Sequence, residues 1–360
     1  MNLIILFLIS QYVSYSNIAP YWDFYLNNRI SSEACGRGYT GIASTGDLSS
    51  ILINPASLSL ENKTNYYSEY IFKNSVGWDN RIDFEPTQQE DDPDLYLQEL
   101  HPNFFAGHAF SINDFIQIGT TYRVENSCAI VRNSTYYASN YESNLKSSSF
   151  SVPVAFNYKN LLRIGIDIIY LSFYFEESSV PLEFNTIRAK FGAIYSPDEN
   201  IFLGLTYLPG TKKTTVTYYT YGTGLVFSTV FEPIVLPLEI GAGICYKLPS
   251  IPLSFSVDYN FCNTSEVENF ADRHDIHLGL EYDITDNLKL RTGAFTQIDY
   301  RTSESQEDSK MSNFTQIFTT FGLSYKIGSL KLILSLMDSH LLSDGSIKQT
   351  YVNTGISYGF

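Results

Sequence analysis

The chain has 360 residues, of which 17% are charged and 15% aromatic, including 28 Tyr and 25 Phe, and it carries a formal net charge of −15. So acidic a chain has no basic surface to neutralise phosphates, which excludes nucleic acid as a partner. A mean hydropathy near zero is too polar for a bundle of membrane helices. The length allows one large all-β barrel or two ordinary domains.

In chain order, residues 1–16 read as a signal peptide. Leu3 to Ile9 is an unbroken apolar run, and Ser14-Tyr15-Ser16 places small residues before Asn17, although no Lys or Arg precedes the run. No other segment approaches the roughly 20 apolar residues of a spanning helix. Export without a helical anchor leaves a secreted protein or a barrel. Residues 17–61 are punctuated by Gly36, Gly38, Gly41 and Gly46 and show no sustained period.

From residue 62 to residue 360 the period is 2. About 14 strands are expected, starting near Asn62, Asn103, Phe115, Lys146, Leu161, Phe184, Asn200, Leu225, Ile251, His274, Leu288, Asn313, Leu330 and Thr350. Leu253, Phe255, Val257, Tyr259 and Phe261 face one way, and Ser254, Ser256, Asp258 and Asn260 the other. Ile276, Leu278, Leu280 and Tyr282 oppose His277, Gly279, Glu281 and Asp283. Each run matches the roughly 9–11 residues of a tilted membrane-crossing strand. Short turns at Asn113-Asp114, Lys159-Asn160, Ser196 to Glu199, Leu248 to Ser250, Thr285 to Asn287 and Ile327-Gly328 alternate with longer loops. Two of those loops hold the acidic runs Glu85 to Asp94 and Ser303 to Asp308, which read as solvated. A membrane barrel needs this asymmetry of connections, and a soluble sandwich does not. The chain is therefore expected to be an all-β, transmembrane antiparallel β-barrel whose last strand, QTYVNTGISYGF, puts Val352, Thr354, Ile356, Tyr358 and Phe360 on one face.

That last strand resembles the terminal strand of bacterial outer-membrane barrels, which the barrel-assembly machinery reads through its final aromatic residues, here Tyr358 and Phe360. A second resemblance is more specific. The stretch ACGRGYTGIASTGDLSSILINPASLSL, with Gly38, Gly41, Asp47, Asn54, Pro55 and Ala56, looks like the amino-terminal plug of the FadL/OmpP1/TodX family of outer-membrane transporters of hydrophobic compounds. LPLEIGAGICYK (Leu236 to Lys247) and FADRHDIHLGLEYDITDNLKLRTGAF (Phe270 to Phe295) resemble later strands of that family, with Arg291 and Gly293 at its Arg-x-Gly pattern. Asn54 before Pro55 is held extended, and the proline fixes the turn that follows.

The resemblance implies a signal peptide at 1–16, a plug at 17–61 inside a barrel at 62–360, and an outer-membrane location. It implies passive uptake of long-chain fatty acids or other hydrophobic compounds, with outer-membrane lipids and the assembly machinery as partners. Family members release substrate sideways through a gap made by a kinked strand, and the third expected strand contains Gly119. The chain is shorter than typical fatty-acid transporters. This suits an alternative in the family, the PorV/PorQ-like branch that serves a protein secretion system. A third reading is an adhesive barrel presenting tyrosine-rich loops.

No catalytic constellation is present, so no enzyme is expected, and no cofactor or metal either. His274 and His277 are three apart, on opposite faces of a strand. Cys35, Cys128, Cys245 and Cys262 have no metal-ligand spacing, and no bridge is expected between Cys245 and Cys262. Ile169, Leu171, Phe173 and Phe175 are expected on the lumen side. So are Glu239, Asp167, Asp258, Glu281, Asp283, Arg163, Arg188, Lys190, Lys289 and Arg291, as wall charges that pair with one another or meet water.

Overall fold

The computed structural model describes residues 30–44, 48–58, 66–75, 81–82, 94–99, 103–133, 141–159, 161–177, 180–213, 234–266, 270–302, 315–343 and 348–359. The first half of the chain supplies β1 (Tyr66–Ser75), β2 (Arg81–Ile82), β3 (Asp94–Glu99), β4 (Asn103–Ser111), β5 (Ile116–Asn133), β6 (Tyr141–Tyr158), β7 (Leu162–Glu177), β8 (Val180–Tyr195) and β9 (Ile201–Leu208). The second supplies β10 (Thr211–Lys213), β11 (Ile234–Leu236), β12 (Glu239–Lys247), β13 (Leu253–Cys262), β14 (Arg273–Thr285), β15 (Leu288–Gln297), β16 (Gln316–Ile327), β17 (Leu330–Asp338) and β18 (Thr350–Gly359).

Fourteen of these form a closed antiparallel cylinder, β1-β4-β5-β6-β7-β8-β9-β12-β13-β14-β15-β16-β17-β18, in which β18 pairs back onto β1. The closing register runs from Tyr67↔Gly359 to Ser75↔Tyr351. β2 and β3 form a small hairpin that pairs with the far end of β5, Asp94↔Asn133 to Glu99↔Cys128. β10 and β11 form a separate hairpin.

The alternation decides which side chains meet lipid. Phe255, Val257 and Tyr259 of β13, Ile276, Leu278 and Tyr282 of β14, Leu332, Leu334 and Leu336 of β17, and Ile356 and Tyr358 of β18 are exposed on the outer face. Their neighbours Ser256, Asp258, His277, Ile333, Ser335, Asn353 and Ser357 are buried on the inner face. A soluble protein does not expose so continuous an apolar surface, and a closed barrel leaves no unpaired edge, so the chain spans a membrane by its strands. Among the described residues no helix is long and apolar enough to cross one.

The short turns stand where the sequence puts them, and they all lie at one end. The strand expected near Leu225 starts outside the described residues, and the wall strand that pairs with β9 is β12, from Glu239 to Lys247. The sequence also reads Val131 to Leu145 as one of the longer loops, and here the loop is shorter. β5 continues to Asn133 and β6 starts at Tyr141, so both strands run 18 residues and stand taller than a membrane crossing requires.

Candidate functional site

The barrel is not empty. Residues 30–44 and 48–58 are buried inside it, against the inner faces of strands from β1 round to β18. The segment begins with a short helix, α1 (Ser32–Gly36), whose N-cap Ser31 accepts from the Ala34 amide. It ends in a single helical turn at Pro55–Ser57, capped by Asn54 in an extended conformation. Proline at the first helical position has no N–H to lose, and asparagine caps the free amides.

The wall meets this segment with glycine. Gly165, Gly192, Gly204, Gly243, Gly279, Gly293, Gly322 and Gly355 face inward, one on each of eight strands, and the registers pair Gly165 with Gly192, Gly204 with Gly243, and Gly279 with Gly293. A Cβ on Gly165 would lie 2.3 Å from the Ala56 nitrogen, one on Gly279 2.4 Å from the Arg37 carbonyl oxygen, and one on Gly322 2.7 Å from the Gly36 Cα. The belt therefore lets two backbones touch where side chains would hold them apart.

Polar contacts fix the rest. Asn54, wholly buried, donates from Nδ2 to the Ile42 carbonyl at 2.6 Å and to the wall carbonyls of Ala193 and Leu205 at 3.3 and 3.4 Å, while its Oδ1 accepts from the Ala56 amide at 2.9 Å. Asp258 of β13 accepts the Gly41 and Ile42 amides on one oxygen, at 2.6 and 2.9 Å. Gly38, at φ +68°, donates to Thr320 Oγ1 and accepts from His277 Nδ1. Glu69 of β1 accepts the Ser49 amide at 3.0 Å.

On the β14–β17 side lies an ion network. Arg291 pairs with Glu281 at 2.6 Å and with Glu33 of α1 at 3.3 Å. Lys331 also pairs with Glu33. Arg37 reaches Glu281 at 3.5 Å, and Lys289 holds both Glu281 (3.3 Å) and Asp283 (3.1 Å). Glu33 is in the luminal helix rather than in a strand. Burial pushes its carboxyl up, but Arg291 and Lys331 outweigh burial and hold it down at about 2. A carboxylate depressed by folding adds stability that is fully present above its unfolded value near pH 4.5 and is lost as the pH falls from there towards 2. Across that window the thermal midpoint in detergent is expected to fall more steeply for the wild type than for Glu33→Gln, a difference read by melting both at each pH.

Three apolar clusters complete the interior, the smallest of them Ala34, Ile42 and Ile53. Ile30, Leu48, Ile51 and Leu58 pack on Ile71, Phe105, Ala109 and Ala155 of β1, β4 and β6. Cys35 packs among Phe295, Phe318, Met337 and Tyr351, with Phe295 stacked on Phe318 at 4.7 Å.

Of the plug-motif residues, Gly38, Gly41, Asn54, Pro55 and Ala56 are thus brought together against the wall. Asp47 lies outside the described residues, as does Phe360, while Tyr358 is on the outer face. Ile169 and Phe173 are buried on the inner face, Leu171 is half-buried there, and the side chain of Phe175 lies outside the described set. His277 points inward and His274 outward, onto Tyr259. Cys245 pairs in register with Ser256 and Cys262 with Glu239, which keeps the two thiols apart. Among the described residues no group of three or more His, Cys, Asp or Glu is placed to hold a metal ion.

Sequence reasoning missed Glu33, Arg37, Glu69 and Lys331 as wall-to-segment contacts. It also missed Pro153, which stands inside β6 opposite Gly119. The β5–β6 ladder pairs Ile118 with Val154 and then Thr121 with Ser151, skipping the two residues between on each strand. Proline has no N–H for the ladder. The misfit was visible in the sequence as a proline within an otherwise alternating run.

A closed 14-strand transmembrane barrel is a fold shared by solved structures. The chain is similar to a FadL homologue of Pseudomonas aeruginosa (TM-score 0.64, 12% identity, 92% of this chain and 98% of that one). It is similar to the toluene transporter TodX of Pseudomonas putida (0.64, 12%, 92% and 97%) and to the toluene transporter TbuX of Ralstonia pickettii (0.62, 14%, 91% and 97%). The architecture is therefore that of the FadL/TodX barrels. No protein-family model and no curated protein matches the chain.

Proposed function

We propose that the chain is an outer-membrane channel for passive uptake of hydrophobic compounds, in which residues 17–61 act as the plug and the motif Gly38, Gly41, Asp47, Asn54, Pro55 and Ala56 seats it. The observation that carries this reading is the interrupted ladder at Gly119 and Pro153, beside the apolar cluster of Leu48, Ile51, Leu58, Phe105, Ala109 and Ala155. A hydrophobic molecule gains nothing from an aqueous pore. An apolar surface inside the wall, next to a two-residue break in the ladder, offers it a path into lipid. The toluene transporters among the similar structures support small aromatics as one substrate class, and the family resemblance adds long-chain fatty acids.

Pro153→Val restores the missing donor and is expected to zip the seam. Uptake of labelled toluene by cells should fall several-fold while the barrel still folds, as judged by its heat-dependent mobility on gels. Unchanged uptake by a folded variant removes the lateral route. Deleting the gene tests the broader reading. Lost growth on a hydrophobic carbon source supports uptake, and normal growth with secretion cargo held in the periplasm supports the PorV/PorQ-like role.

A further inference from the structure

At the short-turn end, beside the luminal segment, the structure holds a cleft of about 350 Å³ that the uptake route does not use. It lies among the β8–β9, β12–β13 and β14–β15 turns. One wall is apolar, built by Phe202, Leu248, Ile251 and Pro252. The other carries Arg37, Ser44, Lys247, Ser256 and Lys289 together with the carboxylates of Glu281 and Asp283.

The charges there are not equivalent. Glu281 is already taken up by Arg37, Lys289 and Arg291, and Asp283 by Lys289. Lys247 has no carboxylate partner among the described residues, and its ammonium sits 4.7 Å from the centre of the Phe202 ring. A cation held over an aromatic face is placed in advance at the junction of the two walls. The volume is at the small end for ligand sites, room for roughly ten groups of about 30 Å³ each.

The geometry points to a binding site for a small amphipathic organic anion, a carboxylate or phosphate monoester with a short apolar tail. Its head meets Lys247 and the serine hydroxyls, and its tail lies along Phe202, Leu248, Ile251 and Pro252. Arg37 shares the cleft wall, and its link to Glu281 is the longest in the ion network. An anion that reaches Arg37 competes with Glu281 and slackens the hold on the luminal segment. The site deepens the uptake reading and rests on it for its physiological role, whereas occupancy is measured without transport.

The test is equilibrium dialysis of the full chain in lipid nanodiscs against labelled octanoate, octyl phosphate, octanol and inorganic phosphate. Octanoate or octyl phosphate, whichever head the site prefers, should bind saturably at one per chain, with octanol and inorganic phosphate at least about tenfold weaker. Lys247→Gln should weaken binding about tenfold, the worth of one charge-assisted hydrogen bond. Ser254→Trp, which fills the cleft, should abolish it. Octanol binding as tightly as octanoate, or saturable binding that neither variant moves, overturns the assignment. Toluene uptake without anion binding removes this site alone, and anion binding without toluene uptake removes the transport reading alone.

Discussion

Arg291→Met is expected to loosen the luminal segment and to destabilise the protein by about 3 kcal/mol. The guanidinium is nearly inaccessible to solvent and joins Glu33 of the segment to Glu281 of the wall. Removing one member of a buried pair leaves its partner's charge uncompensated, at a cost of about 3–5 kcal/mol. The lower figure applies because Lys331 still reaches Glu33, and Lys289 and Arg37 still reach Glu281. The thermal midpoint in detergent should drop by several degrees, and added protease should cut within residues 30–58 faster than in wild type. The double variant Glu33→Gln with Arg291→Met should recover part of the loss, because contacting residues are non-additive. A midpoint equal to wild type in the single variant shows that the network holds nothing.

Gly204→Ala tests the close approach of wall and segment with a single methyl group. Its Cβ would fall 2.1 Å from the Ile42 carbonyl oxygen and 2.8 Å from the Ala43 Cα. Both are backbone atoms, so no side chain can swing aside. The wall cannot yield easily either, since β9 is bonded to β8 and β12 on its two sides. The luminal segment is therefore the part that moves. Overpacking of this kind costs about 1–3 kcal/mol. Planar-bilayer recording should show a higher conductance, whereas Ala242→Val, on the outer face of β12, should leave conductance and midpoint unchanged. If Gly204→Ala conducts and melts like wild type, the two backbones are not in contact there.

Much of the architecture was legible because each wall strand has one face in lipid. Leu253 to Phe261 and Leu330 to Met337 carry that constraint in their own alternation, and turn residues such as Asn113-Asp114 and Thr285 to Asn287 mark where the chain reverses. The strand at Glu239 was harder to place, because residues before it are apolar and β-prone too and a period of 2 does not say where a loop ends. The inward orientation of Glu281, Arg291 and Asp258 follows from parity. Their partners do not, since Glu33 and Gly41 are more than two hundred residues away in sequence. The glycine belt is written in the sequence as inward glycines on successive strands, but it becomes a belt only once the registers align them. Pro153 could be read as a misfit, and its meaning depended on finding Gly119 across the seam.

The seam between β1 and β18 has one more consequence, for how the molecule is made. Tyr67 lies beside Gly359, so the contact that completes the cylinder joins strands far apart along the chain, and the entropy of bringing them together must be met before any reward. Until that moment the sheet has two raw margins able to recruit other chains. Covering those margins until they meet is therefore expected to speed closure and to suppress aggregation.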